Sequence, residues 1–196
     1  MSAELVDRLL GCIENDIMPR TKVGVAGSNK VFGAAILMKS DLSLVVAETN
    51  NETENPLWHG EMHAIKRLYE RPRDQIPDAR DCIFLATHEP CSLCLSAITW
   101  AGFDNFYYFF SYEDTRDAFS IPHDLRILDE VFKLPNGDYA RENAFWSAHH
   151  IRDMITALPE GQRADPERRA AEIVAQYQSL SKAYQECKAG TAIPLA

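Results

Sequence analysis

Hydrophobic positions recur at two spacings along the chain, and these spacings predict helices and strands. Residues 3–18 place apolar side chains every three or four positions, which predicts an amphipathic helix that Pro19 closes. The segments "VFGAAILMK" (31–39) and "LSLVVAE" (42–48) flank the dipeptide "SD" and predict a β-hairpin. The chain is therefore expected to begin with a helix and then a hairpin.

The middle of the chain alternates helical and strand patterns. We expect a helix at 59–71, a buried strand at 82–88, a helix at 91–101 and a strand at 105–112. The last segment is apolar throughout, as in a sheet that is covered on both faces. The order helix, hairpin, helix, strand, helix, strand predicts an α/β fold, a three-layer αβα sandwich with right-handed crossovers.

Two more helices are predicted in the last third of the chain. One is "ENAFWSAHHIRDMI" (142–155), and the other covers 165–187 with Asp165 as N-cap and Pro166 in the first helical position. Four residues of the first helix could close a pocket, although helix packing is the expected role: Phe145, Trp146, His149 and His150.

Composition and length are those of an ordinary folded protein. The chain has 196 residues, of which 46% are hydrophobic and 25% charged. We expect one domain at 1–160 and a helical extension at 161–196 that packs on this domain or on a partner subunit. The formal net charge of −9 makes a nucleic-acid partner unlikely, because such binding relies on Lys and Arg at phosphates.

Targeting signals and cysteine content indicate the cellular compartment in which a protein is expected. The sequence has no basic segment before an apolar stretch and no run of about 18 apolar residues, so we expect neither a signal peptide nor a membrane partner. The chain has five cysteines, and this odd number indicates reduced thiols and a cytoplasmic protein.

The stretch "THEPCSLCLSAITW" (87–100) has Cys91 and Cys94 three positions apart at a predicted helix start. Both thiols then share one face, where the positive end of the helix dipole favours thiolates. His59 begins another helix, and helices leaving adjacent strand ends bring their N-termini together. One histidine and two cysteines make a zinc site with one open position, as catalytic zinc requires.

Glu61 follows His59 after one residue in "LWHGEMHAI" (57–65). It would be an awkward fourth ligand, because both residues lie on the same short turn. Zinc lowers the pKa of a bound water to about 7, and a nearby carboxylate can take that proton and pass it to a leaving group. We therefore interpret Glu61 as the catalytic acid–base and zinc as the cofactor.

Other ligand sets remain open on the sequence alone. His88 or Cys82 could complete a closed structural zinc site, which would leave Glu61 without a role. His63, four residues after His59, could also bind the metal, although a packed or surface histidine is the simpler interpretation. A redox-active CxxC would make the His-x-Glu pattern a coincidence.

The pattern H-x-E followed by P-C-x-x-C is the zinc-deaminase signature. It occurs here as His59-Gly60-Glu61 and Pro90-Cys91-Ser92-Leu93-Cys94. Together with "NPLWHGE", "EPCSLCLSAITWAG" and "VFGAAI", these residues make the chain resemble the cytidine deaminase-like superfamily over about residues 30–120. The resemblance is nearest to guanine deaminases, fungal cytosine deaminases and bacterial tRNA adenosine deaminases.

The resemblance implies an αβα sandwich, a homodimer and the removal of ammonia from an amidine carbon of a base. It also implies substrate contacts from the amide of Gly60 and the carbonyl of Glu89. A further contact would come from an asparagine after the second hairpin strand, which matches Asn50, with Asn51 close behind. Trp100 could stack on the base or pack in the core.

The chain departs from the family pattern at three points. The interval from Asn50 to His59 is short, and Gly60 stands where alanine is more usual. The acidic substrate contact of guanine deaminases falls near Ser120 or Ile121, so we expect Asp117 or Asp124 in its place: neither Ser nor Ile carries a charge.

These observations predict a zinc-dependent deaminase of a small nucleobase or nucleoside. Guanine is the first expectation, and cytosine or another aminated heterocycle follows. A tRNA adenosine deaminase would share the site but would need a basic surface around its mouth. The alternative of another class is an inactive, zinc-stabilised binding module, in which Glu61 would have no function.

Overall fold

The computed structural model describes residues 2–196 and contains a mixed sheet with strand order β2-β1-β3-β4-β5. Strands β3, β4 and β5 run parallel, whereas β1 pairs antiparallel with both β2 and β3. The strands are β1 Gly33–Met38, β2 Leu44–Thr49, β3 Cys82–His88, β4 Asn105–Phe110 and β5 Ser147–His150.

Helices cover both faces of this sheet, which confirms the predicted three-layer sandwich. Ala34 and Ile36 of β1 pack with α3, α4 and α6, while Ala35 and Leu37 pack with α1, α2, α7 and α8. No helix within 2–196 is both long and apolar enough to cross a membrane. The helices are α1 Ala3–Cys12, α2 Met18–Ala26, α3 Gly60–Tyr69, α4 Ser92–Trp100, α5 Tyr112–Asp117, α6 His123–Glu130, α7 Ile151–Thr156 and α8 Ala164–Cys187.

The first helical segment does not end at Pro19, so this prediction is wrong. A π-helical turn, Ile13–Ile17, joins α1 to α2, and Pro19 lies in the first turn of α2. Proline is tolerated there because its ring fits helical φ and a missing N–H is least costly in a first turn. Arg20 donates through Nη1 to the carbonyl of Asp16 at 2.5 Å, which satisfies one acceptor at this junction.

The helix predicted at 142–155 is wrong before residue 151, because β5 occupies 147–150, and only its last five residues are helical, in α7. His149 and His150 stack on Tyr107 and Tyr108 of β4, with ring centroids 4.7 and 5.0 Å apart. Such pairs across neighbouring strands stabilise a sheet edge. Local spacing could not reveal them because the partner rings lie far away in sequence.

The carboxyl-terminal helix α8 begins earlier than predicted. Arg163 already has helical backbone angles (φ −88°, ψ −35°), so Asp165 lies inside the first turn and is not the N-cap. Its carboxylate pairs with Arg168 at 2.5 Å instead. Ile173 and Tyr177 are fully buried in the core shared with α1 and α2, so the helix packs on the domain itself.

Two glycines bring α3 against β1. A Cβ on Gly60 would lie 2.6 Å from the Cα of Gly33, and a Cβ on Gly33 would lie 2.4 Å from Cγ2 of Ile17. No side chain fits at either position without moving a neighbour. Because His59 is the N-cap of α3 and Glu61 its second residue, this approach fixes both residues relative to the sheet.

Gly60→Ala is expected to lower the free energy of unfolding by about 1–3 kcal/mol, since the added methyl must displace backbone atoms. Urea denaturation measures the change. Gly161→Ala is the matched control, because its Cβ would meet nothing within 4 Å, and it should be neutral or slightly stabilising. Equal stability of both variants would contradict the close approach.

Candidate functional site

His59, Cys91 and Cys94 come together where α3 and α4 begin, and their ligand atoms all lie within 4.8 Å of one another. His59 is the N-cap of α3 and Cys91 is the N-cap of α4. Cys91 Sγ lies 3.4 Å from Nδ1 of His59 and 3.6 Å from Sγ of Cys94, and the Nδ1–Cys94 Sγ distance is 3.7 Å.

These separations suit a tetrahedral zinc ion. Zinc bonds of about 2.3 Å to sulfur and 2.0–2.1 Å to nitrogen place two sulfurs about 3.8 Å apart and sulfur and nitrogen about 3.6 Å apart. The three observed distances agree with these values to within a few tenths of an ångström. The donor set is also one that zinc accepts, with a fourth position left open.

Of the three residues, Cys91 is the one whose protonation favours a cation. Hydrogen bonding from Cys94 holds the pKa of the Cys91 thiol well below its usual range, although burial opposes this. Burial lowers the pKa of His59, but its contact with Cys91 and nearby negative charges outweigh burial and raise it to about 9. Burial raises the pKa of Cys94 well above its usual range, so a metal ion that binds all three residues would displace protons from His59 and Cys94.

Glu61 lies beside this group and is only 5% exposed. Burial, and then the negative charge of Cys91, raise the pKa of Glu61 to about 7, while His59 opposes the shift. A carboxyl group with such a pKa can exchange a proton near neutral pH, which general acid–base catalysis requires.

Asn50 is fully engaged with its own protein. Its Oδ1 accepts from the amide of Gly60 at 2.5 Å, and its Nδ2 donates to Oε2 of Glu52 at 2.7 Å. The structure therefore brings Asn50 to the site but pairs it with Gly60, whose amide was expected to contact substrate. The short segment before His59 lets Asn50 reach the free N–H at the start of α3. Asn51 points elsewhere and bonds to Glu54.

Glu52 and Lys30 are site residues that the sequence analysis missed. Lys30 Nζ lies 2.8 Å from Oε1 of Glu52, and the two side chains are 6% and 1% exposed. The same Oε1 lies 3.7 Å from Nε2 of His59. A carboxylate behind a metal-binding imidazole orients the ring. In the sequence, the only sign of this ion pair was one basic and one acidic residue just outside the two strands of the hairpin.

Glu89 fixes the turn that carries Cys91. Its carboxylate is buried and accepts hydrogen bonds from Tyr139 Oη (2.8 Å), Arg141 Nη2 (2.9 Å) and the amide of Tyr112 (3.1 Å). Its backbone carbonyl accepts no hydrogen bond from the described residues. That oxygen, which the resemblance assigned to substrate, is therefore free of protein partners.

The structure does not bring Trp100 to the site. It ends α4, whereas the cysteines begin that helix, and it is 90% exposed. The nine residues of the helix put about 12 Å between its ends at 1.5 Å per residue. The other tryptophan near a ligand helix, Trp58, packs within the protein and stacks on His63 with ring centroids 6.0 Å apart.

The alternative ligands also lie outside the group. His63 Nδ1 is 2.9 Å from the carbonyl of Thr49. His88 contacts Thr87 and is enclosed by aromatic rings, and burial lowers its pKa to about 3. Cys82 begins β3 while His88 ends it, and its thiol donates to the carbonyl of Asp78. Among residues 2–196, only His59 and the cysteine pair form a metal-type cluster of three or more such groups.

A cavity of about 330 Å³ opens beside His59 and Cys91. Its walls are mainly apolar and come from the segment before β1, the loop before His59, α6 and the last residues of the chain. The apolar residues include Phe32, Leu57, Leu93, Ile121, Ile127 and Ile193. Polar residues share the lining, namely Lys30, Glu52, His59, Ser92, His123 and Asp124. The size and the few polar groups are typical of a small-molecule site.

Asp124 is the acidic residue that reaches this cavity, whereas Asp117 is exposed and pairs with Arg116 at 2.6 Å. Burial, and then the charge of Cys91, raise the pKa of Asp124 to about 8. Of the two candidates that the sequence offered, only Asp124 lies where it can contact a bound molecule.

Comparisons with known proteins agree with this geometry. Residues 18–110 match the family model described as the cytidine and deoxycytidylate deaminase zinc-binding region. A guanine deaminase of Bacillus subtilis (strain 168) is 33% identical over 95 residues, which cover 47% of this chain and 58% of that relative. The matched part thus spans little more than half of the relative's length.

Solved structures share the fold. A guanine deaminase from Nitrosomonas europaea superimposes with a TM-score of 0.51 at 16% identity, over 83% of this chain and 81% of that one. A mutant protein in complex with 8-azaguanine gives a TM-score of 0.51 at 15% identity, over 83% and 80% of the two chains. Residues 18–110, which contain the histidine and both cysteines of the site, thus match the zinc-binding region of cytidine and deoxycytidylate deaminases.

Proposed function

We propose that this protein is a hydrolytic deaminase of a small free base or nucleoside, with guanine as the first candidate and cytosine or another aminated heterocycle next. The observation that carries the proposal is the buried carboxyl of Glu61 beside a three-ligand metal site that opens on a cavity. Neither a closed structural zinc site nor a redox pair would use such a carboxyl group.

His59, Cys91 and Cys94 would hold the zinc ion. When bound, zinc lowers the pKa of a water ligand to about 7 and so supplies a nucleophile at neutral pH. Glu52 would keep the imidazole of His59 oriented, and Glu89 would keep the turn before α4 in place.

Glu61 would move the protons. Its carboxylate takes a proton from the attacking water and delivers it to the ring nitrogen of the amidine. It then takes the second proton of that water, now on the hydroxyl group of the adduct, and passes it to the amino group, so that the C–N bond breaks, ammonia leaves and a carbonyl remains. One group can serve all steps because its pKa of about 7 allows both acceptance and release at neutral pH.

The cavity supports a free base or nucleoside as substrate. Its volume of about 330 Å³ is at the lower end of the range for small-molecule sites. Asp124 would accept a hydrogen bond from an N–H of the base. Guanine ranks first because the relative named guanine deaminase is 33% identical over 95 residues.

The basic residues of α3 offer little to phosphates. Lys66 and Arg67 both pair with Glu70, at 2.5 and 2.9 Å, and Arg67 also contacts Glu48. Arg71 donates to the carbonyl of Val45. The charges of Lys66 and Arg67 are already compensated by acidic partners, which supports a small substrate over RNA.

The ligand assignment predicts that purified protein binds close to one zinc ion per chain. Cys91→Ala and Cys94→Ala should lose the metal and become less stable, because metal binding contributes directly to folding free energy. Elemental analysis and thermal denaturation measure both effects. Cys187→Ala, at a half-buried cysteine outside the site, should keep its zinc; full retention in the other two variants would refute the assignment.

Glu61→Gln should retain zinc and fold but lose most turnover. General acid–base catalysis contributes about 10²–10⁴ in rate, and we expect the upper end or more because one carboxyl serves every step. Glu54→Gln, at an exposed position, is the control. A Glu61→Gln variant that stays active would show that another group transfers the protons.

The function itself is tested by ammonia release over free bases, nucleosides, nucleotides and a tRNA anticodon stem. We expect turnover of a free base or nucleoside that changes little between low and high salt, since few phosphate contacts are available. Deamination of the tRNA stem alone, with a steep loss at high salt, would overturn the substrate class. Zinc-loaded protein that deaminates nothing in this set would overturn the enzyme proposal.

A further inference from the structure

Lys30 is an unusual wall residue for an apolar cavity. The whole residue is 5% exposed, yet its side chain lines the space beside His59 and Cys91. Lysine is almost never fully buried unless it is paired. Its partner is Glu52, 2.8 Å away and itself only 4% exposed.

The ion pair leaves part of the ammonium without a protein partner. A lysine ammonium has three N–H donors, and among residues 2–196 only Glu52 accepts one of them. Leaving buried donors of a charged group unsatisfied is costly. Because Lys30 lines the cavity, a molecule bound there can supply the missing acceptor.

Lys30 is also held at a fixed place relative to Glu61. Glu52 accepts from Asn50, and Asn50 accepts from the amide of Gly60, next to Glu61 in the first turn of α3. This chain of hydrogen bonds ties the ammonium to the helix that carries the proposed proton-transfer group. A substrate atom bound by Lys30 is therefore placed in a defined position relative to the reacting carbon.

The charges around the cavity indicate what kind of acceptor fits. Glu52 already balances Lys30, and Asp124 adds a second carboxyl group to the lining. An anionic carboxylate or phosphate would meet an ammonium that Glu52 already neutralises, with Asp124 in the same lining. A neutral carbonyl oxygen accepts from the ammonium without adding charge, and an N–H beside it can donate to Asp124.

We propose that Lys30, held by Glu52, is a specificity-determining residue that donates a hydrogen bond to an exocyclic carbonyl oxygen of the substrate. The proposal rests on the proposed function and narrows its substrate class to amidine heterocycles that also carry a ring carbonyl. Purines and pyrimidines that lack the carbonyl bind more weakly.

Two matched pairs of bases test this preference. Guanine and 2-aminopurine share the amidine carbon but differ in the 6-carbonyl, and cytosine and 4-aminopyrimidine differ likewise in the 2-carbonyl. Binding is measured by calorimetry on zinc-loaded Glu61→Gln protein, with and without Lys30→Met. Ammonia release from the same bases is measured on the zinc-loaded wild-type protein.

Lys30→Met should weaken binding of the carbonyl-bearing base by about 10- to 100-fold, as expected for a hydrogen bond to a charged group. Binding of its partner without the carbonyl should change by less than about threefold. Lys182→Met, at an exposed lysine on α8, should change neither. If the unpaired Glu52 carboxylate prevents the Lys30→Met variant from folding, the double variant Lys30→Met/Glu52→Gln removes that charge. It should show the same selective loss of binding for the carbonyl-bearing base.

The outcomes separate the two proposals. Equal weakening of both members of a pair, or none, overturns the role of Lys30 even if wild-type protein releases ammonia. Selective weakening without any ammonia release supports the role of Lys30 and overturns the deaminase proposal. Failure of all four bases to bind overturns the role of Lys30, while the deaminase proposal is decided separately by ammonia release from the wider set of bases, nucleosides and nucleotides.

Discussion

The site depends on how closely α3 can approach β1. Gly60 and Gly33 meet backbone to backbone, at a distance where a Cβ on Gly60 would lie 2.6 Å from the Cα of Gly33. This contact sets the depth of the first turn of α3, and hence the positions of His59 and Glu61 relative to the cysteines of α4. Packing in this chain therefore requires a glycine at position 60.

Three carboxyl groups surround the candidate metal centre, and their partners give them different roles. Glu61 is buried beside the cysteines, which raises its pKa and suits it to proton transfer. Glu52 is paired with Lys30 and stands behind His59, so it acts on position and not on protons. Asp124 lines the cavity and can accept a hydrogen bond from a ligand. In the proposed function, the same chemical group would therefore serve catalysis, orientation and recognition according to its surroundings.

Features that depend on one helical turn were predictable from the sequence, and features that depend on distant pairing were not. The spacings His59-x-Glu61 and Cys91-x-x-Cys94 each lie within one turn, so they predicted a cluster that the structure does bring together. The sequence did not predict β5, because its stacking partners are on β4, about forty residues earlier in the chain. A local pattern of residues cannot indicate such a distant pairing.

The Lys30–Glu52 pair shows the same limit at the hairpin. A two-residue turn at "SD" would pair Lys39 with Leu42 and place Lys30 opposite Asn51. The register shifts between Ile36 and Leu37, so that Gly33 pairs with Thr49. Continued outward, this register puts Lys30 opposite Glu52. A β-bulge depends on how the strands pack, and short-range sequence patterns do not predict it.

The central claim is that three protein ligands hold zinc and leave Glu61 free of the metal. Zinc K-edge X-ray absorption on the purified protein tests it most directly. We predict two sulfur ligands at about 2.3 Å together with nitrogen and oxygen at about 2.0–2.1 Å, and the same spectrum for Glu61→Gln. A third sulfur, a second histidine, or a ligand lost on substitution of Glu61 would contradict the account.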